Sequence, residues 1–175
     1  MPWVSQILES QATGQLKSVY AELQPLGGAS EFFRVQGSTP EVISAQLKLV
    51  LTTLRDGALT RFEKEQIIVV VSGLNTSSYC VARHLDVLQS FGMEAKLARK
   101  LAVDYANAPV PAKMQPLLQF ADKLTRKPDQ LSEADANAIL AAGWSEDALR
   151  EAVQTIALGN YINRISIGFG LMTDW

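Results

Sequence analysis

The chain has 175 residues and a mass of 19.1 kDa, enough for one domain, residues 1–175, with a substantial core. Its 16 Lys and Arg against 18 Asp and Glu leave a net charge of −2, which supplies no basic field for nucleic acid and no charged tail. Apolar residues make up 47% and charged residues 19%, an ordinary globular composition, and one cysteine excludes an intrachain disulfide framework.

At the N-terminus, MPWVSQILES lacks a basic segment followed by an apolar core, so no signal peptide is expected. The longest strongly apolar run, Ile67 to Val71, is too short for a membrane span. A cytoplasmic protein with no membrane partner is the expectation. Pro40 opens the first clear helix. Val42, Ile43, Leu47, Val50, Leu51 and Leu54 recur at helical spacing in it, and Gly57 closes it. Thr60 and Glu63 form a capping-box pattern for a helix from Arg61 to about Leu74. Its centre, IIVVV, suits a buried strand by propensity, but the box and the polar FEKEQ in front favour helix.

Asn75, Thr76 and Ser77 make a turn, and Thr76 or Ser77 caps the next helix. The same three residues match a glycosylation sequon, read here as chance. The following helix carries Tyr79, Cys80, Val81, His84, Leu85, Val87 and Leu88 and stops before Gly92. Further helices are expected from Glu94 to about Ala106 and from Met114 to Leu124. Two more are capped by Ser132 and Ser145, the last running past Ile162. Phe32, Phe33 and Trp144 read as core or interface. The prediction is an all-α domain of seven to nine helices.

The stretch SSYCVARH holds the chain's one cysteine and one histidine, Cys80 and His84. Residues four apart share a helix face, and Cys80 lies near a helix N-terminus, whose partial positive charge favours thiolate. If two helices meet antiparallel at Asn75 and Thr76, Glu65 and His84 stand roughly 15 and 12 Å from the turn, nearly level. A carboxylate there fixes the imidazole's tautomer and supports its charged form. Spacing alone also fits a packed, inert cysteine beside a solvated histidine and a surface Glu65, the commoner case for such residues. Cys80 and His84 supply too few ligands for a metal site, and no cofactor-binding glycine motif is present.

The pattern E-x11-S-x-x-C-x-x-x-H, Glu65 to His84, resembles the E-x11-C-x-x-C-x-x-x-H signature of the alkylhydroperoxidase D-like and carboxymuconolactone decarboxylase superfamily. Its context, EKEQIIVVVSGLNTSSYCVARH, is similar as well. The segments TGQLKSVYAEL, STPEVISAQL and GWSEDALREAVQTIALGNYINRISIGFG resemble the peroxidase-related subgroup. The resemblance implies an all-α alkylhydroperoxidase D-like fold with an antiparallel helix hairpin carrying the site, assembled as a trimer or hexamer. It also implies antioxidant peroxidase chemistry: Cys80 attacks a small hydroperoxide while His84 and Glu65 relay protons. Ser77 stands where the family's resolving cysteine belongs. A hydroxyl forms no disulfide, so a sulfenic acid at Cys80 would need an external thiol. Two alternatives stand beside this one: proton-transfer catalysis of the decarboxylase type by His84 and Glu65, or a non-catalytic oligomeric binding protein. Asn160, Tyr161, Asn163 and Arg164 fall where the similar family's last helix approaches the hairpin, but read more simply as a polar helix face.

Overall fold

Five consecutive β-branched residues decide the architecture. Ile67 to Val71 are all at most 1% exposed, and a helix that is apolar on every side must be enclosed on every side. In the computed structural model, which describes residues 1–173, that helix is the central one. The described residues form nine α-helices and no strand: α1 (Gly14–Leu23), α2 (Glu31–Arg34), α3 (Pro40–Leu54), α4 (Arg61–Leu74), α5 (Ser78–Ser90), α6 (Ala95–Asp104), α7 (Gln115–Arg126), α8 (Glu133–Ala141) and α9 (Glu146–Gly168). Helix α4 packs against α5, α6, α7 and α9. Burial on all sides thus overrides the strand propensity of IIVVV.

Local signals set the start of α4. Thr60 N donates to the Glu63 carboxylate at 2.8 Å, and Glu63 N donates to Thr60 Oγ1 at 3.3 Å. A residue from α9 secures the loop in front: Glu151 accepts from Ala58 N at 3.1 Å and Leu59 N at 2.9 Å. It also lies 3.0 Å from Lys64 Nζ, a nearly fully buried amine that donates to Arg55 O at 2.6 Å. Burial alone would push the Glu151 carboxyl up, but the Leu59 amide and Lys64 outweigh it and hold it below its usual value. At the other end, α4 meets α6 closely. A Cβ on Gly73 would stand 2.0 Å from Ala102 O, so glycine is required there.

The expected helices are present, with two local differences. Helix α6 ends at Asp104, and Tyr105–Asn107 continue as a single 3₁₀ turn. In α3, Ile43, Leu47 and Leu54 are buried, whereas Val42 and Leu51 are exposed together with Leu49. The stripe is wider than the surface that α1, α4 and α9 cover. Phe32 and Trp144 are buried in separate clusters, and Phe33 is partly buried beside Phe32. No helix among the described residues is long and apolar enough to cross a membrane.

Candidate active site

The hairpin of α4 and α5 is made by a Schellman arrangement. Thr76 adopts φ 56°, Ser77 N donates to Ser72 O at 3.0 Å, and Thr76 N donates to Gly73 O at 3.0 Å. A β-branched residue in this left-handed conformation is strained. Polar side chains of α9 clamp the turn. Asn75 Nδ2 donates to Asn160 Oδ1 and Asn163 Oδ1, both at 2.9 Å, and Arg164 Nη1 donates to Asn75 Oδ1 at 2.6 Å. Asn163 Nδ2 donates to Ser72 Oγ at 3.0 Å and is fully buried. The reading of these α9 residues as polar surface is therefore corrected: Asn160, Asn163 and Arg164 bind the hairpin turn. Tyr161 accepts from Gln46 Nε2 at 3.0 Å.

Across the hairpin, Glu65 and His84 meet. His84 Nδ1 is 2.5 Å from Glu65 Oε2. An ionised carboxylate only accepts, so Nδ1 carries the proton and Nε2 is left for other partners. Arg61, one turn earlier, donates from Nε to Glu65 Oε1 at 2.5 Å. Glu65 is 0% exposed. Burial alone would raise its carboxyl, but His84 and then Arg61 outweigh burial and hold it below the ordinary carboxylate value.

Cys80 is the third residue of α5, and its helix follows a cap position at Ser77. The expected capping bond from Ser77 is absent. With ψ 85° rather than the 157° and 165° of the working caps Thr60 and Ser145, the hydroxyl does not reach the first-turn amides. Ser77 Oγ is buried and unpartnered. Cys80 is 2% exposed, in an apolar cluster with Phe32, Val35, Tyr79 and Leu171. It lies 3.3 Å from Ser166 Oγ on α9. The four residues singled out thus fall into two parts. Glu65 joins His84, whereas Cys80 joins Ser166 and makes no hydrogen bond to His84. The two parts stand one helical turn apart on α5, about 6 Å along its axis.

Sequence reasoning missed Arg61 and Ser166. The four-residue step from Arg61 to Glu65 was a usable signal. Ser166, 86 residues from Cys80, had none. A separate groove of 710 Å³ between α3 and α9 is lined by Leu49, Thr53, Lys64, Glu151, Leu158 and Tyr161 among others. It includes none of Glu65, Cys80 or His84.

No protein-family model matches the chain, and no curated protein does. Solved structures do. A peroxidase-related protein with an alkylhydroperoxidase core from Ralstonia eutropha superposes with a TM-score of 0.88 at 23% identity, covering 99% of this chain and 92% of that one. A peroxidase-related protein from Silicibacter sp. gives 0.83 at 22% identity, covering 99% and 95%. The debrominase Bmp8 gives 0.82 at 18% identity, covering 98% and 92%. The likeness in each case is one of fold.

Proposed function

With the alkylhydroperoxidase D-like fold as premise, we propose that the chain reduces small hydroperoxides at Cys80, using His84 and Glu65 for proton transfer and an external thiol for turnover. The observation that carries this reading is a single cysteine in the first turn of α5, one turn before a histidine held by a buried carboxylate. The Cys80 thiolate attacks the outer peroxide oxygen, and the O–O bond breaks as the S–O bond forms. The departing alkoxide takes a proton from His84, whose charged form Glu65 stabilises. Sulfur is oxidised to the sulfenic acid and the hydroperoxide is reduced to the alcohol. One external thiol then displaces water to give a mixed disulfide, and a second releases Cys80. Ser77 has no part in this exchange, because a hydroxyl cannot attack to form a disulfide.

The test is direct. Protein treated with a hydroperoxide is trapped with a sulfenic-acid reagent and weighed, with and without added thiol. A Cys80 adduct that disappears with thiol supports the reading, and absence of any adduct over a panel of hydroperoxides refutes it. Since Bmp8 is a debrominase, crystallised in variant form with 2,3,4-tribromopyrrole, a brominated pyrrole is a useful second substrate arm.

One observation favours a second reading. The Glu65–His84 pair is complete without sulfur, and Cys80 is bonded elsewhere. That arrangement suits proton-transfer catalysis of the decarboxylase type with Cys80 as bystander. Activity on a lactone or β-keto acid that survives Cys80→Ala would select it. A homo-oligomer is proposed for either reading, on the exposed apolar residues Val42, Leu49 and Leu51 of α3 and Val153 of α9. Light scattering that gives a monomer mass at micromolar concentration would remove it.

A further inference from the structure

The hydrogen-bond partner of the sulfur is a serine on the last helix. Ser166 is fully buried, and its Oγ lies 3.3 Å from Cys80 Sγ, with either atom able to donate. A serine or threonine inside a helix commonly returns its proton to the carbonyl four residues back. Thr155 on the same helix does so, giving Oγ1–H to Glu151 O at 2.7 Å. Ser166 makes no such bond, so its proton is free to turn to the sulfur. Nearby, the Tyr79 hydroxyl accepts from the Phe32 amide at 3.2 Å and makes no hydrogen bond to the sulfur. The remaining neighbours, Phe32, Val35 and Leu171, are apolar. A sulfur anion formed there without a donor would pay a heavy desolvation cost.

From this we infer that Ser166 acts directly on the reacting sulfur: its hydroxyl accepts from the Cys80 thiol at rest, donates to the sulfur anion during attack, and donates to the sulfenate oxygen afterwards. The two heavy atoms need not move, because a hydroxyl reverses its role by rotating. A second, independent feature fits the same assignment. Ser77 is 1% exposed and its Oγ has no partner, at the cap position three residues before Cys80. A site without a resolving cysteine must keep its sulfenic acid intact until an external thiol arrives, and hydroxyls hydrogen-bond that oxygen without consuming it. The catalytic meaning of this inference rests on the peroxidase reading, but its test does not.

Because the chain has one cysteine, the ultraviolet absorbance of thiolate reports Cys80 alone against a tyrosine background common to all variants. It is followed against pH in the wild type, Ser166→Ala and Ser166→Thr, each first shown by thermal melting to be folded. In Ser166→Ala the thiolate should appear at higher pH, with roughly tenfold less at a given pH below the transition, the effect of one lost charge-assisted hydrogen bond. Ser166→Thr, which keeps the hydroxyl, should restore the profile. Superposable profiles for all three overturn the inference, whether or not peroxide reacts. If the profile moves but no hydroperoxide yields a sulfenic acid, the role of Ser166 stands and the peroxidase reading falls. Should Ser166→Ala fail to fold, Ser166→Cys provides the geometry. Diamide, which removes one hydrogen from each of two thiols, should close a bridge to Cys80 with loss of two hydrogens in the mass. A chain that stays reduced shows that position 166 does not address the sulfur, and overturns the inference.

Discussion

Replacing Glu65 by Gln keeps the side chain's shape and removes its charge, so it isolates the electrostatic half of the site. The carboxylate accepts from His84 Nδ1 and Arg61 Nε, each at 2.5 Å, and is 0% exposed. A hydrogen bond to a charged group contributes about 1.5–3 kcal/mol, against about 1 kcal/mol for a neutral one. Converting or breaking both should cost about 2–3 kcal/mol. Stranding a fully buried charge costs more, about 3–5 kcal/mol. Here Arg61 and His84 keep 32% and 16% of their side-chain surface and can turn to water. The difference must also depend on pH. The folded Glu65 carboxyl sits below its model value of 4.5. A depressed carboxylate adds stability above its unfolded value and loses it as pH falls through the folded one. The gap between wild type and Glu65→Gln should therefore be full at neutral pH and close progressively below about pH 4.5. Urea unfolding followed by circular dichroism, at fixed protein concentration, measures it. A neutral-pH gap under about 1 kcal/mol, the level of an exposed ion pair, or a gap indifferent to acid, would refute the reasoning.

Three other substitutions probe the hairpin. Ser77→Cys removes an unpartnered buried hydroxyl, so it should leave stability unchanged or higher by up to about 1 kcal/mol. After one equivalent of peroxide it should yield an intrachain disulfide with Cys80, seen as loss of two hydrogens by mass spectrometry. Thr76→Asn relieves a β-branched residue at φ 56° and should stabilise by about 1 kcal/mol, raising Tm by about 2–4 °C in a calorimetric scan. Gly73→Ala sets a Cβ 2.0 Å from the Ala102 carbonyl oxygen, and should destabilise by about 3 kcal/mol. An urea midpoint within error of wild type would show that α6 yields there at no cost.

What was legible in the sequence was what is local. The Thr60–Glu63 box, the cap at Ser145 and the opening of α3 at Pro40 each depend on residues within one turn. Glu65 and His84 were legible too, because counting rise from a single turn places both. The IIVVV segment was ambiguous, since propensity is read residue by residue while burial on all sides depends on four other helices. Ser77 had the right residue type for a cap, but its ψ is set by the Schellman turn before it. Ser166, Glu151 and the partner of Asn163 were out of reach for one reason. Each acts across a helix–helix contact whose register no local pattern specifies.

Sequence separation within the site also bears on the order in which it assembles. The Glu65–His84 bond closes only 19 residues, whereas Cys80 to Ser166 spans 86, Asn75 to Asn163 spans 88 and Leu59 to Glu151 spans 92. Short closures lose less chain entropy and tend to precede long ones. During refolding the Glu65–His84 pair is thus expected to mature with the hairpin, and the sulfur's shelter to arrive only when α9 docks. Between those two events Cys80 is a naked thiol on a half-built protein, open to oxidation and to mixed disulfides. Pulse alkylation during refolding should find Cys80 reactive until the slowest phase, and protection in an early phase would show that α9 docks first.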